Sequence, residues 1–228
     1  MKKLIIIPAY NERDSISTTI KDIIENAPEF DYIIINDCST DNTIDICKYH
    51  GYNVVNLPVN LGIGGAVQTG YLYAYNHNYD IAVQFDGDGQ HDASYLEDMA
   101  QKLLKEKLDM VIGSRFIKKE GFQSSGIRRV GIRYFTWLIK LLYGKRITDA
   151  TSGMRMVNRK TMELFVKEYP RDYPEPESVA RLLRHKYRVE EMPVIMRERV
   201  AGTTSISVGR SIYYMVKVSL AILIERLR

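Results

Sequence analysis

Short apolar runs recur along the first half of this chain, and a polar or glycine-rich turn follows each of the first four. The runs are residues 4–7, 32–35, 54–57, 81–85 and 110–112. Between them apolar residues return at helical spacing. Ile16, Ile20, Ile23, Ile24 and Ala27 follow the first run, and Ile44 and Cys47 the second. Ala66, Val67, Gly70, Tyr71 and Ala74 follow the third, and Leu96, Met99, Leu103 and Leu104 the fourth. A short continuous apolar run bounded by turns fits a strand buried on both faces. Parallel strands need a long crossover, which a helix supplies. The pattern predicts an α/β fold, with a Rossmann-like, mostly parallel sheet covered by helices on both faces. The second half is less regular. Residues 127–143 read as a basic amphipathic helix and 151–155 as a polar turn. Met162, Leu164 and Phe165 suggest a helix, 179–185 another, 194–196 a strand, and 206–227 a terminal amphipathic helix.

Ligands of such sheets bind beyond the carboxyl ends of the strands. The turns there are Pro8-Ala9-Tyr10-Asn11-Glu12, Asn36-Asp37-Cys38-Ser39-Thr40-Asp41, Asn60-Leu61-Gly62-Ile63-Gly64-Gly65 and Asp86-Gly87-Asp88-Gly89-Gln90-His91. Two carboxylates two residues apart suit one hard cation. Mg²⁺ takes one or two carboxylates and completes its shell with water and substrate phosphate. Asp37, at a strand end, suits a base or ribose contact, whereas Asp41 suits a helix start. The glycines after Asn60 match neither phosphate loop: Val67 stands where the dinucleotide fingerprint needs glycine, and no Gly-Lys-Ser/Thr follows. Close helix packing and a ligand role at Gly62 remain equal readings.

The formal net charge of +4 hides an asymmetry. Residues 115–146 hold nine basic residues against one acid, a local +8 that leaves −4 for the rest of the chain. With Phe135, Trp137 and Leu138 interleaved, Arg128, Arg129 and Arg133 suit an anionic acceptor or a membrane surface. A solvated basic face on a packed helix is the competing reading. No nucleic-acid motif accompanies the charge, so no nucleic-acid partner is expected. Cys38 and Cys47 have neither metal nor redox spacing. No stretch reaches the roughly 20 apolar residues of a spanning helix. These features suggest a cytoplasmic protein, peripheral on the inner face of the cell membrane if the basic arm docks there.

Six motifs occur in order: Pro8-Ala9-Tyr10-Asn11-Glu12, Asn36-Asp37, Asn60-Leu61-Gly62, Asp86-Gly87-Asp88-Gly89-Gln90-His91, Gly113-Ser114-Arg115 and Thr151-Ser152-Gly153-Met154-Arg155. Together they resemble the family 2 glycosyltransferases, near the dolichyl-phosphate mannosyltransferase and polyprenyl-phosphate branch. The resemblance implies a GT-A fold over residues 1–205, with a nucleotide-sugar half (1–115), an acceptor half (116–205) and an appended helix (206–228). It implies that Pro8, Ala9, Tyr10, Glu12 and Asp37 line the nucleoside pocket. It also implies that Asp86 and Asp88 serve Mg²⁺ or Mn²⁺ and the diphosphate, and that the reaction inverts the anomeric centre. Arg197 or Arg199 then closes over the diphosphate, or stays a solvated basic residue on a strand edge.

The expected donor is a nucleotide-diphosphate sugar, with UDP favoured over GDP. The acceptor is a polyprenyl phosphate or a lipid-linked saccharide in envelope glycan synthesis. A hydroxyl acceptor needs a general base, and Glu175 or Glu177 offers one; a phosphate acceptor needs none. The terminal helix reads as a membrane-surface helix or a homodimer contact. Two rival readings are a non-catalytic nucleotide-sugar-binding partner of a membrane protein and a sugar-1-phosphate nucleotidyltransferase. The second would want a glycine-rich loop with Arg directly after the first strand, where this chain has Pro8-Ala9-Tyr10.

Overall fold

A computed structural model describes residues 1–122, 126–198 and 208–227, without the side chains of 127, 128 and 208–212. Arg199 and the 201–205 segment therefore lie outside the described residues, as does the side chain of Arg128. The chain runs β1 (Lys3–Ala9), α1 (Ile16–Asn26), β2 (Asp31–Asn36), α2 (Thr43–Tyr49), β3 (Val54–Asn56), α3 (Gly62–Asn76), β4 (Ile81–Gln84), α4 (Leu96–Lys105) and β5 (Met110–Ser114). It continues with α5 (Gly126–Tyr143), β6 (Arg155–Asn158), α6 (Arg159–Lys167), α7 (Pro174–Arg184), β7 (Val189–Pro193) and α8 (Val208–Leu227).

One seven-stranded sheet has the order β3-β2-β1-β4-β6-β5-β7. Only β6 runs against the others, pairing antiparallel with both β4 and β5. Alternate residues of β1 enter opposite cores. Leu4 and Ile6 join Val67 and Tyr71 of α3, Phe135 of α5, Phe165 of α6 and Ile222 of α8. Ile5 and Ile7 join Ile16, Ile20 and Ile23 of α1 and Leu96, Met99 and Leu103 of α4. This is the period-two alternation of a strand covered on both faces.

The reversed strand is what completes the rim. Parallel strands bring the loops that leave them to one edge. An antiparallel strand brings there the loop that enters it. Arg155, the first residue of β6, lies opposite Gln84, the last of β4. The 149–154 turn therefore reaches the same edge as the turns after β1, β2 and β4.

Three expectations are corrected. The polar turn expected over 151–155 ends at Arg155, which begins a strand. The late strand is Val189–Pro193, which ends directly before 194–196. Val194 and Met196 are buried beside its end, and Met196 forms a single bridge with Gly121. α7 also starts earlier than 179. Its first turn carries Pro174 and Pro176, where a missing N–H leaves no helical bond unmade.

The terminal helix packs on the body. Glu225 of α8 is buried and pairs with Arg181 (3.2 Å) and Arg184 (3.1 Å) of α7. Tyr143 of α5 donates to the Ile222 carbonyl at 2.9 Å.

Candidate active site

The first four strand ends and α7 enclose a cavity of about 400 Å³, lined by Pro8, Ala9, Tyr10, Glu12, Asp37, Asn60, Gly62, Ile63, Ala66, Asp86, Gly87, Asp88 and Glu175. Most of the expected donor-side residues are therefore brought together. Asp37 has a structural duty as well. Its Oδ1 accepts the Leu61 N–H at 2.7 Å, and Asn60 donates to its carbonyl. That bond fixes the turn before α3, where Gly62 sits at φ +73°, a backbone region open to glycine. Asp41 lies apart and accepts the Thr43 N–H at 2.9 Å, the helix-start role its position suggests. Contact with Thr43 and Arg13 outweighs the opposing effect of burial and lowers its pKa.

Asp86 and Asp88 stand at the end of β4. Asp86 Oδ1 accepts from Gln84 Nε2 at 3.1 Å. The Asp86 N–H donates to His91 Nδ1 at 3.0 Å, which puts the ring proton on Nε2, 3.6 Å from Asp86 Oδ2. Asp88, almost buried, accepts the Gln90 N–H at 3.1 Å. A carboxylate has about four acceptor positions, so both keep capacity for a cation. Two hard oxygen ligands match Mg²⁺ or Mn²⁺ when phosphate fills the remaining shell. Among the described residues no cluster of three or more His, Cys, Asp or Glu suits a metal. The donor set thus fits a cation shared with a substrate better than a closed protein cage.

The expectation did not single out what stands behind Asp86. The Arg115 guanidinium makes two 2.7 Å bonds to Asp149, Nε to Oδ2 and Nη2 to Oδ1. Burial works against this cation, but the Asp149 bonds and charge, with Asp86 adding to them, raise its pKa. Arg155 is fully buried and donates to the carbonyls of Ser152, Ala150 and Glu175 and to Ser178 Oγ. It therefore ties the 150–152 turn to the first turn of α7. Gly153 lies between: a Cβ there would come within 2.4 Å of Asp86 Oδ2. Gly153→Ala is accordingly expected to displace the Asp86 carboxylate. Affinity for added Mn²⁺ should fall about ten-fold or more, the size seen when metal-site support is disturbed. Titration of the purified protein with Mn²⁺ checks this, and an unchanged half-saturation point would refute it.

The two candidate acids separate. Glu175 lines the cavity, whereas the Glu177 carboxylate approaches Arg181 at 3.5 Å on the side facing α8. Arg197 is outside the cavity lining. Its guanidinium pairs with Asp22 (3.1 Å) and Asp92 (3.0 Å), and its N–H donates to the Gln90 carbonyl. Arg129, Arg133 and Trp137 are exposed on α5.

The model of the glycosyl transferase family 2 matches residues 4–165, from β1 to the last turn of α6. The chain belongs to that family. This family 2 glycosyltransferase is 30% identical to the UDP-N-acetylglucosamine–dolichyl-phosphate N-acetylglucosaminyltransferase of Methanococcus voltae, over 92% of each chain. It is 28% identical to the undecaprenyl-phosphate mannosyltransferase of Micrococcus luteus, over 100% of this chain and 98% of the other. Among solved structures it resembles glucosyl-3-phosphoglycerate synthase of Mycobacterium tuberculosis in complex with Mn²⁺, UDP-glucose and phosphoglyceric acid. The TM-score is 0.74 at 17% identity, over 99% of this chain and 79% of that one. The likeness shows the GT-A fold. The family match stops before α7, so Glu175, Glu177 and Arg197 lie outside it.

Proposed function

We propose that this glycosyltransferase moves a sugar from a uridine-diphosphate sugar to a polyprenyl phosphate, with inversion at the anomeric carbon and with Mg²⁺ or Mn²⁺ as cofactor. The observation that carries the reading is the Asp86 and Asp88 pair, held in one cavity with Pro8, Ala9, Tyr10 and Asp37. The acceptor class is supported by two relatives whose names state a polyprenyl-type phosphate and which match over nine-tenths of both chains. The donor class is supported by the UDP-sugar in one of those names.

In this reading Pro8, Ala9, Tyr10 and Asp37 hold the nucleoside. Asp86 and Asp88 would hold the cation, which when bound supplies Lewis-acid stabilisation to the departing diphosphate. Glu175 faces the sugar. The acceptor phosphate oxygen attacks the anomeric carbon as the bond from that carbon to the diphosphate breaks, and the nucleoside diphosphate leaves. The nucleophile is already an anion, so Glu175 orients the sugar and removes no proton. The α5 cations Arg128, Arg129 and Arg133 draw the acceptor's charge toward the site. The protein then works at the cytoplasmic face of the membrane that carries its acceptor.

The test offers UDP-N-acetylglucosamine, UDP-glucose and GDP-mannose separately with a short-chain polyprenyl phosphate, with and without EDTA. A lipid-phosphate sugar should form with one UDP-sugar, and EDTA should reduce it about a hundred-fold or more. Glu175→Gln should keep transfer within about ten-fold, since losing a true general base costs about 10²–10⁴-fold. Transfer indifferent to EDTA, or confined to saccharide hydroxyls, would sink the proposal. Tight UDP-sugar binding without turnover would favour a binding partner instead.

A further inference from the structure

α5 and α8 carry more apolar surface than the core takes. The inner face of α5 buries Ile132, Phe135, Leu138 and Ile139, and that of α8 buries Val218 and Ile222. Yet Val130, Tyr134, Trp137 and Leu141 form a second stripe on α5, at spacings of four, three and four. Trp137 is 56% exposed and Leu141 63%. On α8 a matching stripe runs through Tyr213, Val216, Leu220, Leu223, Ile224 and Leu227.

The two stripes adjoin. Tyr134 of the first lies 3.1 Å from Ser219 Oγ, the neighbour of Leu220 in the second. Phe135 and Tyr214 pack edge to face at 5.6 Å beneath them. The result is one apolar face two helices wide, larger than the scattered apolar residues of an ordinary surface.

We infer that this α5–α8 face seats the protein on an anionic lipid bilayer, lying in its surface. Charge selects the occupant. The two helices hold seven Lys and Arg against one acid, Glu225, and that acid is buried against Arg181 and Arg184. Arg129, Arg133 and Lys140 repeat at helical spacing beside the α5 stripe, and all three are exposed. Apolar residues bordered by long cations match the interface of a negatively charged leaflet, where the cations snorkel to headgroups. A second copy is a poor occupant, because a two-fold contact would set like charges opposite each other. Among the described residues no helix is long and apolar enough to cross a membrane.

The face also adjoins the acceptor side of the cavity. Tyr214 of α8 packs on Tyr173 at 4.7 Å, and Tyr173 leads into the α7 turn that carries Glu175. Placement beside a lipid phosphate rests on the acceptor reading above, whereas binding to the bilayer does not.

Trp137 is the chain's single tryptophan, so its emission reports on this face. The full chain is mixed with phosphatidylcholine vesicles, with or without phosphatidylglycerol, and followed by fluorescence and flotation. Phosphatidylglycerol vesicles should shift the emission to the blue and float the protein. Leu141→Ser combined with Leu220→Ser should abolish both effects while leaving transfer to a water-soluble short-chain polyprenyl phosphate unchanged. Lys140→Gln with Arg226→Gln should weaken binding about twenty-fold, near five-fold per charge. Equal binding to both vesicle types would overturn the charge argument. A blue shift that depends on protein concentration and needs no lipid would assign the face to a second copy and overturn the inference. Turnover of the soluble acceptor without vesicle binding would overturn the inference and leave the acceptor reading standing. Vesicle binding without that turnover would do the reverse.

Discussion

Asp88→Asn is expected to lower sugar transfer by about three orders of magnitude and to leave the fold intact. The replacement has the same shape. Its amide oxygen can still accept the Gln90 N–H that Asp88 Oδ1 accepts at 3.1 Å, so the turn after β4 should hold. The negative charge is what disappears. Asp88 shares its cavity with Glu12, Asp37, Asp86 and Glu175, so removing one acid from that group should not lower the thermal midpoint. On the proposed function, weaker cation binding would leave the departing diphosphate without compensation and raise the barrier to breaking the sugar–phosphate bond. Steady-state turnover with saturating Mn²⁺, paired with a melting curve, measures both halves. Full activity at any Mn²⁺ concentration would remove Asp88 from the site.

The second large effect is on stability, at Asp149. This carboxylate is fully buried, binds Arg115 through both oxygens, and also accepts the Arg115 N–H at 3.2 Å. Asp149→Ala leaves a buried guanidinium without its counter-charge. Breaking a buried pair on one side costs about 3–5 kcal/mol. At about 2–4 °C per kcal/mol for a chain of this size, the midpoint should fall by roughly 10 °C. Replacing both partners with apolar residues, Arg115→Met with Asp149→Leu, should recover most of that loss, because the orphaned charge goes with its partner. Urea unfolding of the single and double variants decides it. A single-variant loss under about 1 kcal/mol would show that water or another group already compensates Arg115. Transfer should remain impaired even in the stable double variant, because Arg115 adds positive potential at Asp86.

The first four strands and the turns after them were legible because each element there obeys one rule. Residues 4–7 are an unbroken apolar run and 81–85 are apolar but for Gln84, and their turns carry the polar groups that line the cavity. The second half hides its strands behind function and support. β6 opens with a buried arginine and spans four residues, so its sequence reads as the end of a polar turn. The bonds from Arg155 to three carbonyls and to Ser178 Oγ make that burial tolerable. β7 contains Glu190 and Glu191, which look like surface residues. Glu191 instead accepts the Thr148 and Asp149 N–H groups. The acid pair of α7 was legible as a pair but not as a choice. Which carboxylate meets the cavity depends on where the helix starts, and its two early prolines hid that start.

The reversed strand also sets an order of assembly during synthesis. β1, β2, β3 and β4 pair among themselves, so a growing chain can close that half as soon as Gln84 is free. β5 has no such early partner. Its neighbours are β6 and β7, and both emerge after it. Until residue 158 is made, β5 has no native strand to join. Over the same interval one edge of β4, which leads into Asp86 and Asp88, stays open. The ribosome therefore delivers the β1–β4 half of the sheet well before the β5–β7 half, and β6 is the splice that unites them.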